Sequence, residues 1–188
     1  MKLGIIAEDD SDVGVVSQLT RRMVRPKKIG FKRFVGNGCG KIMRKCRAWA
    51  EILVRQGCLW VVVVHDCDRN EENALRQKLK AAVAGVNTRA SIVLIPVREI
   101  EAWLLFDPKA IASTFREGKK PVLPGDPESL QDPKKKLGEI VWKTYRKQYL
   151  NTVHNEIIAK NLDPQFLKKA RSFELYPPFV GALKRELR

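Results

Sequence analysis

The sequence predicts an α/β fold, a four-stranded parallel sheet flanked by helices and followed by a helical C-terminal extension. Three observations carry this reading. Strand-like and helix-like stretches alternate four times within about the first 106 residues, the pattern of parallel strands joined by right-handed crossovers. One run, LWVVVV, is apolar throughout, as a strand covered on both faces must be. After residue 116 the chain turns to Pro, Gly and basic residues, with no further strand pattern.

KLGIIA reads as a short buried strand that runs into EDDSDV. From Asp12 to Val24 apolar residues recur at helical spacing (Val13, Val16, Leu19, Met23), until Pro26, which has no N–H to offer, stops the pattern. IGFKRFVG alternates as a second strand, and GNGCG reads as a glycine turn. Ile42 to Arg55 is helical, with Ile42, Cys46, Trp49, Ile52 and Leu53 to one side. LWVVVV is the third strand. Asn70 is placed to cap NEENALRQKLKAAVAG, whose Leu75, Leu79 and Val83 share a face and which ends at Gly85. SIVLIPV is the fourth strand, and EIEAWLLFD turns helical. These elements make an α/β domain over residues 1–116. The basic extension over 117–188, packing on the same domain, opens with a long loop, REGKKPVLPGDPESLQDP. Short basic helices follow around 133–150, 154–160 and 164–171, and LYPPFVGALKREL closes the chain.

With 36 Lys+Arg against 21 Asp+Glu, the formal net charge is +15. Such an excess draws polyanions, so nucleic acid is the expected partner; a basic surface that only aids solubility is the alternative. Cys39, Cys46, Cys58 and Cys67 form no CxxC pair, and no His stands at zinc-ligand spacing. That argues against structural zinc and against a disulfide framework. MKLGIIAEDD has too short an apolar core for a signal peptide, and no run approaches the ~18 apolar residues of a membrane span. A cytoplasmic protein without a membrane partner is the expectation, with a homodimer left open.

Carboxylates collect where the strands end. The first strand delivers Glu8, Asp9 and Asp10, with Asp12 beyond; the third delivers Asp66 and Asp68; the fourth is followed by Glu99 and Glu101. Sites in open parallel sheets form outside the carboxyl ends of the strands. Asp66 and Asp68, two apart in extended chain, point to the same side and can share one cation. A hard divalent ion, magnesium or manganese, would relieve the mutual repulsion of such a cluster. Helix-start acids also favour the helix dipole, which is the alternative for Glu8, Asp12 and Glu99.

A glutamate closing strand one, HDCD closing strand three and an acid after strand four resemble the Toprim fold. That Rossmann-like domain is shared by topoisomerases, primases and the overcoming-lysogenization-defect nucleases. IPVREIEAWLLFD is similar to the xPxxxxEAWLLxD segment of small prokaryotic Toprim-like proteins, some encoded near phage-defence genes. The likeness spans roughly residues 3–107. It implies a magnesium- or manganese-dependent nuclease, with Asp66 and Asp68 as metal ligands, Glu101 completing or bridging a second position, and Glu8 as general acid/base. Asp9 departs from the glycine usual after the first glutamate. The Glu8–Asp12 spacing matches the E-x-x-x-E of the phage-exclusion nucleases, which adds Asp12 to the candidate ligands.

The remaining residues have plainer readings. His65 is expected to pack or to support a ligand, His154 to cap a helix or lie at the surface, and Cys67, Trp103, Leu104 and Leu105 to belong to the core. Candidate phosphate contacts come from two basic stretches: Arg22, Lys27 and Lys28 from the first, Lys134, Lys135 and Lys136 from the second. Trp142 and Tyr145, interleaved with lysines, suit either single-strand stacking or an apolar helix face. Lys168, Lys169 and Arg171 could bring a cation to the carboxylates. Strand passage finds no support, because the chain has only Tyr145, Tyr149 and Tyr176 as nucleophile candidates and no DNA-gate domain. A receiver-like signalling module remains an alternative, although its lysine should follow a fifth strand, whereas Lys120-Pro121 follows STFREGK. A nucleic-acid-binding module that does not cut is the third reading.

Overall fold

The computed structural model describes residues 1–36, 39–68 and 70–187. Strands β1 (Lys2–Ala7), β2 (Gly30–Val35), β3 (Trp60–Val64) and β4 (Ala90–Leu94) form one parallel sheet in the order β2-β1-β3-β4. The fold is α/β, as the alternation predicts. β1 and β3 lie in the middle and are buried nearly throughout, whereas β2 at the edge carries exposed Lys32 and Arg33. Charge on an edge strand discourages pairing with another chain. The glycine turn expected at GNGCG falls on residues 37–38, outside the described residues.

Helix α1 (Asp10–Val24) covers one face of the sheet, and α2 (Cys39–Arg55) and α3 (Glu72–Val83) cover the other. α3 is capped by Glu71, whose carboxylate accepts from the amides of Asn73 (3.0 Å) and Ala74 (2.6 Å). Asn70, the expected cap, instead donates its side-chain amide to the carbonyl of Cys67 and so braces the turn after β3. Gly85, at φ +78, takes the left-handed conformation that lets the chain leave α3.

EIEAWLLFD contains the short helix α4 (Glu101–Leu104) and ends on Asp107, which caps the next helix, α5 (Pro108–Thr114). The long loop carries one 3-10 turn, Pro127–Ser129, before α6 (Pro133–Tyr145), which ends with Arg146 in the left-handed region. α7 (Asn151–Asn161) begins earlier than expected and includes His154, whose Nδ1 accepts from the Leu150 amide at 2.9 Å. The helix expected at 164–171 is instead two 3-10 turns, Phe166–Lys169 and Arg171–Phe173. LYPPFVGALKREL contains a last helix, α8 (Tyr176–Glu186). Its two prolines sit in the first turn, where the missing N–H groups would have no intrahelical partner anyway.

The extension is woven into the main core. Leu137, Val141, Ile158, Phe173, Tyr176 and Leu183 are buried in the same cluster as β1 and α1. α7 runs beside α1 in the same direction: Asn155 meets Ser11, Glu156 meets Gln18 at 2.6 Å, and the carbonyl of Lys160 accepts from Arg22 at 2.7 Å. The helices touch at Gly14, where an added Cβ would stand 2.9 Å from Cβ of Glu156. Gly14→Val is expected to cost about 1–3 kcal/mol through overpacking. Calorimetry should show the melting midpoint falling by about 2–4 °C per kcal/mol. Equal midpoints for variant and wild type would mean that the crossing tolerates separation.

Candidate active site

The chain leaves β1 toward β2 on one side, and leaves β3 toward β4 on the other, so the strand order reverses between β1 and β3. Ligands of open α/β sheets sit outside the carboxyl ends of the strands at such a point. Here that position is held by Glu8, one residue past β1, and by the His65–Asp68 turn that follows β3. A reciprocal cap fixes the start of α1. Asp9 accepts from the amides of Ser11 (2.8 Å) and Asp12 (3.1 Å), and Asp12 Oδ2 accepts from the amide of Asp9 (3.3 Å). Asp9, where the Toprim pattern has glycine, is thus a helix cap, and one oxygen of Asp12 has a structural partner.

The other acids crowd inward. Burial pushes the Asp66 carboxyl well above the usual carboxylate range, and the charges of Asp12, Glu101, Glu8 and Asp68 push it further. Among the described residues, Asp66 Oδ1 is buried without a hydrogen-bond partner. Asp12, 3% exposed, is likewise raised by burial and then by Asp9, with Glu101 and Glu8 adding to the effect. Glu101 is buried beneath α7: its Oε1 accepts from Asn155 Nδ2 at 3.1 Å and lies 3.2 Å from the Tyr149 hydroxyl. Tyr149 is also within reach of Asn155 Oδ1, and Asn155 Nδ2 reaches Ser11 Oγ at 3.4 Å.

Glu8 stands nearer the mouth, with 17% of its side chain exposed. Its Oε1 lies 2.7 Å from Nδ1 of buried His65 and accepts from the Asp66 amide at 3.2 Å. Burial alone would depress the His65 imidazole; the hydrogen bond and charge of Glu8 outweigh it and hold the ring proton above the usual range. His65 is thus packed, one of the two placements expected for it. Asp68 does not share the orientation of Asp66. Its φ of +48 breaks the alternation, and its side chain is exposed at the rim, where burial and the charge of Glu8 raise its carboxyl. Arg98 holds the turn by donating to the Asp68 carbonyl at 2.6 Å. Glu99 accepts from the Lys134 amide at 2.8 Å, so it holds α6, whereas Glu101 faces the buried acids. Asp68, Arg98, Glu99 and Asp132 line an open cavity of about 580 Å³ at this rim.

Buried, mutually repelling carboxylates with an unpartnered oxygen form a donor set that suits a hard divalent cation. Among the described residues, no three Asp, Glu, His or Cys side chains are close enough, as they stand, to hold one ion together. Side-chain rotation about Asp66, Asp12 and Glu101 would have to accompany binding.

The two basic stretches part company. Residues 25–29 precede β2 and lie at the opposite edge of the parallel sheet from the acids. There Arg22 holds the end of α7, Lys27 reaches the carbonyl of Leu187, and Lys28 is exposed. None of these three can contact a phosphate held at the carboxylates. Lys134 and Lys135, exposed at the first turn of α6, and half-buried Lys136 lie on the acidic side. Trp142 is 57% exposed, whereas Tyr145 is buried with its hydroxyl on the carbonyl of Lys119. Arg171 is drawn to Glu72 and Glu128, and Lys168 lines a cavity with Arg22 and Arg25.

Arg98, Tyr149 and Asn155 are the residues that sequence reasoning missed. Asn155 left a signal: it is a polar residue at the i−3 and i−4 positions from the apolar Ile158 and Ala159, and it is fully buried. No curated protein and no solved structure matches the chain. One family model does, over residues 7–175, a span running from the end of β1 through Asn155 and thus containing every acid described above. The chain belongs to that family, described as a domain of unknown function (DUF4276).

Proposed function

We propose that this protein is a Toprim-like, metal-dependent phosphodiesterase acting on nucleic acid. The observation that carries the reading is the buried Asp66 carboxylate, unpartnered at Oδ1 and raised by burial and by Asp12 and Glu101, at the reversal of strand order. Asp66, Asp12 and Glu101 would hold magnesium or manganese, with Asp68 at the rim. A divalent ion in such a site polarises a phosphoryl oxygen and makes bound water a nucleophile at neutral pH. Asn155 and Tyr149 set the orientation of Glu101. Glu8, held by His65 and the Asp66 amide, keeps its second oxygen free to take a proton from attacking water or return one to the leaving oxygen. Arg98 and Lys134 place positive charge at the rim, where a phosphodiester would enter.

The net charge of +15 supports a polyanionic substrate. Among the described residues no helix is long and apolar enough to cross a membrane, and the free, buried Cys46, Cys58 and Cys67 suit a reducing compartment such as the cytoplasm. The receiver-like alternative lacks its lysine: Lys120 stands exposed in a loop that follows no strand.

The test is cleavage of single- and double-stranded RNA and DNA in magnesium, manganese or chelator. Products are expected with the metals alone. Binding without products in any metal would leave a module that holds nucleic acid and does not cut it, and phosphorylation by acetyl phosphate would instead support the receiver.

A further inference from the structure

Residues 119–124 run alongside α6 and leave an open groove of about 680 Å³ between them. Lysines line both banks, Lys119 and Lys120 from the loop and Lys136 and Lys143 from the helix. Between them lie Leu123, Ile140 and Val122, the last 91% exposed. Glu139, the carboxylate on this lining, is 3.7 Å from Lys136. Among the described residues, Lys119, Lys120 and Lys143 have no ion-pair partner.

The groove begins one turn of α6 from the rim cavity. Asp132, which caps α6, lies on the rim cavity with Asp68, and Lys136 on the next turn of the helix opens the groove. From Lys136 to Lys143 the helix rises about 10 Å, the length of about three stacked nucleotides. Lysines alone would suit duplex phosphates. An aliphatic strip that presents exposed Val122 and half-buried Leu123 between two rows of lysines gains only from a ligand with charge on its backbone and uncovered apolar faces, which a single strand has and a duplex hides.

We infer that this groove binds the single-stranded part of a nucleic-acid substrate beside the carboxylates. Phosphates lie on the lysine banks, and bases lie against Val122 and Leu123. That the bound strand is a substrate rests on the phosphodiesterase reading; the binding does not.

The test is fluorescence anisotropy in chelator, with the full chain and a labelled 12-nucleotide strand or 12-base-pair duplex. Lys120→Glu with Lys143→Glu is expected to weaken single-strand binding at least about tenfold and to lower the salt slope by about one to two, as losing two phosphate contacts requires. Val122→Asp should weaken the single strand and leave the duplex within about twofold. Lys120→Gln with Lys143→Gln, a milder change at exposed positions, should give a smaller loss with an unchanged melting midpoint. Variants that bind the single strand like the wild type would overturn the groove as its site. Equal losses for strand and duplex, or displacement by polyglutamate as effective as by the strand, would overturn the occupant. Asp66→Asn with Asp68→Asn should bind the strand at least as tightly as the wild type in this assay. A failure of metal-dependent cleavage therefore leaves the groove standing, and a failure of the groove leaves cleavage standing.

Discussion

In chelator, Asp66→Asn is expected to melt above the wild type, and in manganese to show no binding by calorimetry. Both effects have one origin. Half-buried Asp66 stands among like charges with one oxygen buried and unpartnered among the described residues, so the carboxylate is a liability to the fold until a cation offsets it. An asparagine keeps the shape, removes the charge and can donate to the neighbouring acids. Relief of one such buried group is worth about 1–3 kcal/mol, several degrees for a chain of this size. The pH dependence has a definite sign. Asp66 and Asp12 hold protons more tightly folded than unfolded, so the stability they lend is complete below the ordinary carboxylate range near pH ~4. It is lost as pH rises through their elevated values. The metal-free wild type should therefore soften between acid and neutral pH, the variant should soften less, and manganese should restore the wild type alone. A variant less stable than the wild type at neutral pH in chelator, or one that still binds manganese, would falsify the assignment of Asp66.

Glu8→Gln is expected to lower metal-dependent cleavage by about 10²–10⁴-fold, the usual contribution of a general acid/base, while binding of nucleic acid in chelator stays within about twofold. The exchange is a clean one. Glutamine retains an oxygen for His65 and for the Asp66 amide, so the local geometry survives and only proton exchange is lost. Asp12→Asn separates a second role. Its spacing from Glu8 makes it a candidate ligand, and its burial beside Asp66 agrees with that reading. It should therefore raise the metal concentration needed for half-maximal cleavage, an effect that excess manganese reverses. Full activity in Glu8→Gln would move the proton step to another group.

Four strands, their order of appearance and the crowding of acids at one edge were legible because each depends on neighbouring residues: apolar runs, alternation and strand ends. What the chain does across long separations was not. Glu99 and Glu101 look equivalent in EIEAWLL, and only the approach of Lys134 and Asn155, 35 and 54 residues away, divides their tasks. Asp66 and Asp68 read as a pair until the left-handed φ of Asp68 turns its side chain toward the rim. The basic stretch with Arg22, Lys27 and Lys28 looks like a phosphate site in composition, but the parallel connection from α1 to β2 carries it to the far edge. The helix in LYPPFVGALKREL was hidden by two prolines, which are tolerated only because they fall in its first turn.

The grip of α7 on Glu101 has a consequence for how such a protein comes into being. A polypeptide emerges from the ribosome N-terminus first. Glu8, Asp12, Asp66, Asp68 and Glu101 are all made before Tyr149 and Asn155, the residues that hold Glu101 in place. A nascent chain stopped short of residue 149 carries every acid and lacks the clamp. The contact that orients Glu101 thus forms only after residues 149–155 have been made, so the acids are gathered before one of them is fixed.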